Sequence, residues 1–243
     1  MSKTKIEWTE ETWNPTTGCT KVSSGCKNCY AERLSSRLQH MGVRKYQDAF
    51  KLRLHPDTLK EPYSWKKRRI VFVNSMSDLF HEDIPLSFIQ DVFHVMNNNQ
   101  KHIFQILTKR SERLREVCNE LKWTDNIWMG VTVEDEKQKQ RIDDLIEIPA
   151  RIKFLSCEPL LSDLGDIQLN QINWVIVGGE SGPKAREMKK EWVENILRQT
   201  TINNIPFFFK QWGGVNKKKN GRLLNEKIYS DMPSITDTLQ SPY

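Results

Sequence analysis

Short apolar runs that alternate with helix-like segments constrain the fold of this chain more than any other feature of its sequence. Six such runs have the length of a strand, and most are rich in β-branched or aromatic residues. They cover residues 70–73, 103–107, 127–133, 152–155, 174–177 and 206–209. Apolar and polar residues do not alternate strongly within them, so we expect both faces to be buried, as in a parallel sheet covered by helices.

The segments between these runs carry apolar stripes at helical spacing. Phe88, Val92 and Met96 form one stripe, and Trp192 and Ile196 form another. Each stripe can pack against a sheet, and strand–helix alternation is typical of right-handed βαβ units. With one further strand before Cys19, we predict an α/β fold of six or seven units, a partial (β/α)6-type barrel with parallel strands. An open doubly wound sheet is the alternative.

The 243 residues suit a single large domain, and no segment has the composition of a linker. We predict one domain over 1–243, with a basic insertion at 41–69 after the first helix and a C-terminal tail at 215–243. No apolar run approaches the roughly 20 residues of a membrane span, and the N-terminus lacks the apolar core of a signal peptide. We therefore expect a cytoplasmic protein with no membrane contact, whose cysteines stay reduced.

Positive charge is concentrated in one segment. Residues 44–69 hold nine basic and three acidic residues, a net charge of +6, which equals the net charge of the whole chain. Such a cluster indicates nucleic-acid binding, with Lys66, Lys67, Arg68 and Arg69 as the candidate phosphate contacts. A solvated basic loop is the alternative interpretation.

Three of the five cysteines fall within eleven residues, Cys19, Cys26 and Cys29, in the spacing C-x6-C-x2-C. A glycine directly precedes each of the first two. A structural zinc site needs four ligands, so the fourth would have to come from Cys118, Cys157, His40 or His81. A three-thiolate set instead suits an iron–sulfur cubane with one open iron. Iron–sulfur ligation, zinc binding and unligated thiols all remain open at this point.

Polar residues follow nearly every apolar run. In a parallel α/β fold the functional site lies at the carboxyl ends of the strands, so these side chains should share one polar pocket. The loop Gly178-Gly179-Glu180-Ser181-Gly182 is the most distinctive of them, because its glycines allow a close backbone approach to a ligand.

A family resemblance rests on seven segments in order between Trp13 and Gly214. They are WNPTTGCTKVSSGCKNCYAERL, NSMSDLFHEDIP, LTKRSERL, WMGVTVE, FLSCEPLL, VIVGGESGPKAREM and PFFFKQWGG. The chain resembles the phage and bacterial three-cysteine-motif proteins, which are assigned to the radical S-adenosylmethionine (SAM) superfamily. That resemblance implies a partial (β/α)6 barrel and a [4Fe–4S] cluster on the three cysteines, with SAM on the fourth iron. Reductive cleavage would give methionine and a 5′-deoxyadenosyl radical.

Strand-end position, together with the resemblance, gives the candidate residues for SAM and for the substrate. The usual superfamily spacing is C-x3-C-x2-C, and its Gly-Gly-Glu follows the second strand, where this chain has Asn74 to Asp78. The SAM candidates are Asn74, Ser75, Ser77, Asp78, Thr132, Glu134, Gly178, Gly179, Glu180 and Ser181. The substrate candidates are Lys109, Arg110, Glu158, Lys210, Gln211 and Trp212.

Three function classes follow from these features. The first is a radical SAM enzyme that modifies or repairs a substrate such as nucleic acid, gripped by residues 44–69. The second is a binding protein for nucleic acid or a partner, stabilised by zinc or a closed cluster and without turnover. The third is an enzyme acting on a small molecule or peptide, with the basic segment docking the partner protein that is encoded nearby in this family.

Overall fold

The computed structural model describes residue 4 and residues 6–234. Seven strands form one parallel sheet, which is curled into a half-barrel. The strands lie side by side in chain order, without the reversal that marks the switch point of a doubly wound sheet. The predicted α/β fold with a partial parallel barrel is therefore confirmed.

Each predicted apolar run forms a strand, and a short strand precedes the cysteines. Across the half-barrel the strands are β1 (Glu11–Trp13), β4 (Ile70–Val73), β5 (Ile103–Thr108), β6 (Ile127–Thr132), β7 (Ile152–Cys157), β8 (Trp174–Gly178) and β9 (Phe207–Gln211). Two more strands, β2 (Thr16–Thr17) and β3 (Arg53–Leu54), form a small antiparallel pair.

The helices follow the apolar stripes of the sequence, because each stripe packs against the sheet. They are α1 (Tyr30–His40), α2 (Leu86–Asn98), α3 (Ser111–Val117), α4 (Gln140–Ile146), α5 (Lys190–Ile202) and α6 (Lys217–Asn220). Short 3-10 helices cover Ser24–Cys26, Arg44–Tyr46, Pro56–Ser64, Cys118–Glu120 and Glu136–Gln138.

The sheet separates two apolar cores, so both of its faces are buried as expected. The larger core lies between the helices and the convex face, and it includes Phe93, Phe104 and Val193. The smaller core lies on the concave side and contains large aromatic rings from the segment before β1 and from β4, β6, β7, β8 and β9. Its aromatic members are Trp8, Phe72, Trp128, Phe154, Trp174 and Phe208. The open space of the half-barrel lies toward the carboxyl ends of the strands, and the rings of Trp8 and Phe72 border it.

The basic insertion at 41–69 extends from one end of the half-barrel to the other. Its first part pairs β3 with β2, and its second part is the 3-10 helix Pro56–Ser64, which packs against α2 and leads to the amino end of β4. The tail predicted from residue 215 returns to β9, where the Phe209 N–H donates to the Tyr229 carbonyl at 3.1 Å. The part of that tail after residue 234 lies outside the described residues. Within the described residues, no helix is both long and apolar enough to span a bilayer.

Candidate functional site

A cavity of about 190 Å³ opens at the carboxyl ends of the sheet strands. Twelve of the predicted site residues line it, namely Cys19, Cys26, Cys29, Asn74, Ser75, Ser77, Asp78, Lys109, Arg110, Thr132, Glu158 and Lys210. Ile6, Trp8, Phe72 and Leu107 line it as well and form an apolar floor. None of these four was expected from the sequence, although a tryptophan shortly before the first strand is a signal that could have pointed to Trp8.

The cysteines lie on residues 18–29, the cysteine loop, and two glycines let this loop approach the barrel closely. Gly18 has φ +82°, and a Cβ there would lie 2.1 Å from the Lys51 carbonyl oxygen. A Cβ on Gly25 would lie 2.8 Å from Glu134 Oε1. Close packing therefore requires glycine at both positions, against the Lys51 backbone at Gly18 and against the buried Glu134 side chain at Gly25.

Glu134, a predicted SAM ligand, instead holds the middle of the cysteine loop. Its carboxylate is fully buried and paired with Arg141 at 2.8 Å. It accepts hydrogen bonds from the Ser23 hydroxyl and, at 3.3 Å, from the Gly25 N–H. These contacts fix the turn that precedes Cys26, and Glu134 does not line the cavity.

Glu180 holds the far end of the same loop in the same way. It accepts from the Asn28 side chain at 2.9 Å and from the Arg186 guanidinium at 2.6 and 3.0 Å. Burial opposes its ionisation, but the hydrogen bonds from Arg186 and Asn28 lower the pKa of Glu180 to about 2. Sequence reasoning missed Asn28 and Arg186 as its partners.

The residues after β4 form one wall of the cavity. Asn74 takes the left-handed φ of 60°, which asparagine tolerates well, and its Oδ1 accepts from the Thr16 N–H at 3.3 Å. Its Nδ2 is buried and has no hydrogen-bond partner among the described residues. Asn74 therefore presents a free amide donor at the cavity.

The Tyr30 hydroxyl donates to the Ser75 carbonyl, which fixes the Tyr30 ring beside Cys29.

Asp78 lies deeper in this wall and has no acceptor capacity to spare. Its two oxygens accept from the Phe80 N–H, the Thr108 hydroxyl and the Lys109 N–H at 2.7–3.0 Å, and from Arg110 Nη1 at 3.3 Å. Arg110 Nη1 also lies 3.4 Å from Cys19 Sγ. Burial, which outweighs the opposing effect of Arg110, raises the pKa of the Cys19 thiol to about 11. Asp78 thus supports the residues around Cys19.

Glu158 and Lys210 pair on the opposite wall. Lys210 Nζ lies 2.6 Å from Glu158 Oε2, and both side chains are mostly buried. The Ser156 hydroxyl donates to the other Glu158 oxygen at 3.4 Å. This wall therefore presents an ion pair between Glu158, which follows β7, and Lys210, which lies within β9.

The glycine loop after β8 packs against the chain rather than lining the cavity. The Gly179 N–H donates to the Gln211 carbonyl at 2.9 Å, and a Cβ on Gly179 would lie 2.0 Å from the Trp212 carbonyl oxygen. The Ser181 hydroxyl accepts from Gln211 at 2.8 Å. Gly178, Gly179, Glu180, Ser181, Gln211 and Trp212 are all outside the cavity lining.

The four side chains considered as a fourth metal ligand do not line the cavity. Cys157 faces the convex core, where burial raises the pKa of its thiol, and Cys118 is buried in the same core. His81 bonds Thr20 at 2.9 Å, and His40 bonds the Ser36 carbonyl at 2.7 Å. Among the described residues, no group of three or more His, Cys, Asp or Glu side chains is arranged to hold a metal ion.

The candidate phosphate contacts lie at the other end of the half-barrel. Lys66, Lys67 and Arg68 are exposed and directly precede the amino end of β4. Arg69 is partly buried, pairs with Glu11 and lies over the Trp65 ring at 5.6 Å. Three of the four basic residues are therefore free to meet a ligand, and they are separated from the cavity by the length of the sheet.

Comparison with known proteins gives a match to a family model. The model of a family described as "Protein of unknown function (DUF5131)" matches residues 3–233. No curated protein and no solved structure matches the chain. The matched residues include the whole half-barrel and every residue of the cavity lining.

Proposed function

The chain belongs to the DUF5131 family of proteins of unknown function, and we propose that it is a radical SAM-type iron–sulfur enzyme. One observation carries this proposal. Three cysteines on a single loop line one cavity at the carboxyl ends of a parallel half-barrel. This is the end at which α/β folds of this kind bind their ligands.

Cys19, Cys26 and Cys29 are the residues that would hold a [4Fe–4S] cluster. Thiolates are its usual ligands, and three of them leave one iron for another ligand. Each thiolate of a cubane binds a different iron, so the ligands need not converge on one point as they do around a zinc ion. The other side chains considered as ligands lie outside the cavity, which supports an open iron.

Two buried donors in the cavity suit a bound SAM. Asn74 Nδ2 and Trp8 Nε1 both lack a partner among the described residues, and both residues line the cavity. A buried donor without a partner costs about 1–3 kcal/mol, so a ligand that offers acceptor atoms to these donors gains that energy. SAM carries such acceptors on its carboxylate, ribose and adenine.

When bound, the cluster and SAM together supply one-electron reductive cleavage of SAM and removal of a hydrogen atom from the substrate. The chain's own residues bind and orient these groups. The apolar floor of Ile6, Trp8, Phe72 and Leu107 limits water in the inner part of the cavity. The Glu158–Lys210 pair faces the same space and can orient a polar group of the substrate.

Anaerobic reconstitution with iron and sulfide tests the ligand set. We expect about four irons per chain in the wild type and loss of the cluster in Cys19→Ala, Cys26→Ala and Cys29→Ala. Cys118→Ala is the matched control, because this cysteine lies in the convex core, and it should keep its iron. Stoichiometric zinc with no iron uptake by the wild type would contradict the proposal.

An isosteric change at Asn74 tests the SAM subsite. Asn74→Asp keeps Oδ1 and the left-handed backbone but replaces the free donor with an acceptor. We expect weaker SAM binding, by about tenfold, with an unchanged iron content, as measured by calorimetry on the reconstituted protein. Asn98→Asp, on the exposed end of α2, is the control. Equal SAM affinity in the wild type and Asn74→Asp would remove Asn74 from the subsite.

The alternative function is a metal-stabilised binding protein without turnover. It is favoured by the exposed Lys66, Lys67 and Arg68, which can contact a polyanion far from the cavity. Formation of 5′-deoxyadenosine from SAM under a strong reductant distinguishes the two functions. A reconstituted protein that binds SAM but releases no 5′-deoxyadenosine would support the alternative.

A further inference from the structure

Arg110 uses all of its hydrogen-bond donors within the protein. Nε donates to Glu82 Oε2 at 2.7 Å, and Nη2 donates to the Thr20 carbonyl and hydroxyl at 3.2 and 2.8 Å. Nη1 donates to Asp78 Oδ2 at 3.3 Å and to Cys19 Sγ at 3.4 Å. These contacts account for the five N–H groups of a guanidinium. Arg110, which the sequence suggested as a substrate contact, therefore has no donor left for a substrate.

Its position is fixed from several sides. The side chain is 7% exposed, and the carboxylates of Asp78 and Glu82 hold it from two directions. Thr20 directly follows Cys19, so Arg110 donates both to the Cys19 sulfur and to the backbone carbonyl of the next residue. The Thr20 hydroxyl also contacts His81 Nε2 at 2.9 Å, which extends the support to the turn after β4.

The other two thiols have different surroundings. Cys26 has a hydroxyl contact from Ser23 at 3.8 Å, and Cys29 packs beside the apolar cluster of Ala31, Tyr46 and Met76. Only the side of the loop at Cys19 thus has a buried cation in contact with sulfur, as far as the described residues go. A charged N–H donor to a ligand sulfur stabilises the added negative charge of a reduced cluster and raises its potential.

We propose that Arg110 is a positioning residue that holds Cys19 as a cluster ligand and raises the reduction potential of the cluster bound there. This inference rests on the proposed function. The step concerned is a one-electron reduction: a reductant such as dithionite gives one electron to the oxidised cluster. No bond to a cysteine breaks in this step, and the added charge is partly balanced by the guanidinium.

The test is a mediated potential titration of the reconstituted protein, followed by the electron paramagnetic resonance signal of the reduced cluster. Arg110→Gln removes the cation, and Arg110→Lys keeps the charge without the fork of donors. Arg198→Gln is the control, because it removes one exposed positive charge on α5, away from the cavity. We expect Arg110→Gln to lower the reduction potential by about 59 mV, which is a tenfold decrease in the equilibrium constant of the one-electron reduction. Arg110→Lys should fall between it and the wild type, and Arg198→Gln should match the wild type.

Each remaining outcome decides the matter. An equal potential in the wild type and Arg110→Gln overturns this inference and leaves the proposed function intact. A wild type that forms no cluster overturns both. If Arg110→Gln loses its iron, an unchanged potential in Arg110→Lys overturns the inference as well. If neither variant holds iron, a melting temperature equal to that of Arg198→Gln supports the positioning role, and a clearly lower one assigns Arg110 to the fold instead.

Discussion

At the scale of single residues, two buried glutamates fix the position of the cysteine loop. Glu134 and Glu180 each pair with an arginine from their own segment and accept hydrogen bonds from the cysteine loop. A buried carboxylate is costly unless it is paired and hydrogen-bonded, and here both conditions are met. The loop is thereby held on both sides of Cys26.

The low pKa of Glu180 predicts a pH dependence of stability. Its folded pKa of about 2 lies below the ordinary value of 4.5, so the ionised form favours folding. This contribution is present above pH 4.5 and is lost as the pH falls toward 2. We expect Glu180→Gln to be less stable than the wild type at pH 6 and to lose less stability between pH 4.5 and 2. Urea unfolding at several pH values measures this.

Glu191→Gln, at an exposed position in the first turn of α5, is the control for the loss of a glutamate. It should keep the wild-type slope between pH 4.5 and 2. A wild-type slope in Glu180→Gln as well would show that other groups cause the acid sensitivity.

At the scale of elements, the strands were predictable and the attachments of the cysteine loop were not. Strands that are buried on both faces, such as Ile70–Val73 and Trp174–Gly178, can be recognised from local composition, because they consist almost entirely of apolar residues. The contact of Asn28 with Glu180 joins residues 152 positions apart, and that of Ser23 with Glu134 joins residues 111 apart. Strand-end position alone suggested that both glutamates bind a ligand, because their arginine partners are recognisable only in the folded chain.

The segment before β1 is a structural element in its own right, since Trp8 packs among the concave rings. It is 3% exposed and lies 4.7 Å from the Phe72 ring and 6.2 Å from the Trp174 ring, between centroids. Trp8→Ala should lower the free energy of unfolding by about 3–5 kcal/mol, because it leaves a large cavity. Chemical denaturation checks this. Ile228→Ala, at a side chain that is 61% exposed, should change stability by less than about 0.5 kcal/mol.

At the scale of the whole molecule, the candidate site and the exposed basic residues lie at opposite ends of the sheet. The thiols and strand-end residues gather at the carboxyl end of the sheet, and Lys66, Lys67 and Arg68 lie at the amino end. Residues 44–69, which carry the net positive charge of the chain, run from one end of the half-barrel to the other, so the fold spreads this charge over both ends. A polyanion held at the amino end would be bound away from the cavity.

Salt dependence tests this division. Replacing Lys66, Lys67 and Arg68 by Gln should weaken binding to duplex DNA and reduce the slope of log K against log salt by about 0.9 for each phosphate that the variant no longer neutralises. Arg69 stays, because it pairs with Glu11. Iron content should not change, since the residues are remote from the cysteines. An unchanged slope would show that these side chains are simply solvated.

The fastening of the cysteine loop also sets an order of events during synthesis. Cys19, Cys26 and Cys29 leave the ribosome before Glu180, whose carboxylate holds Asn28 and lies 152 residues after it. At 5–20 residues per second that interval is about 8–30 s. Throughout it the three thiols are present on a nascent chain that has not yet built the walls around them. Under the proposed function, a cluster can therefore be enclosed only late, after the strands that build the cavity walls have emerged.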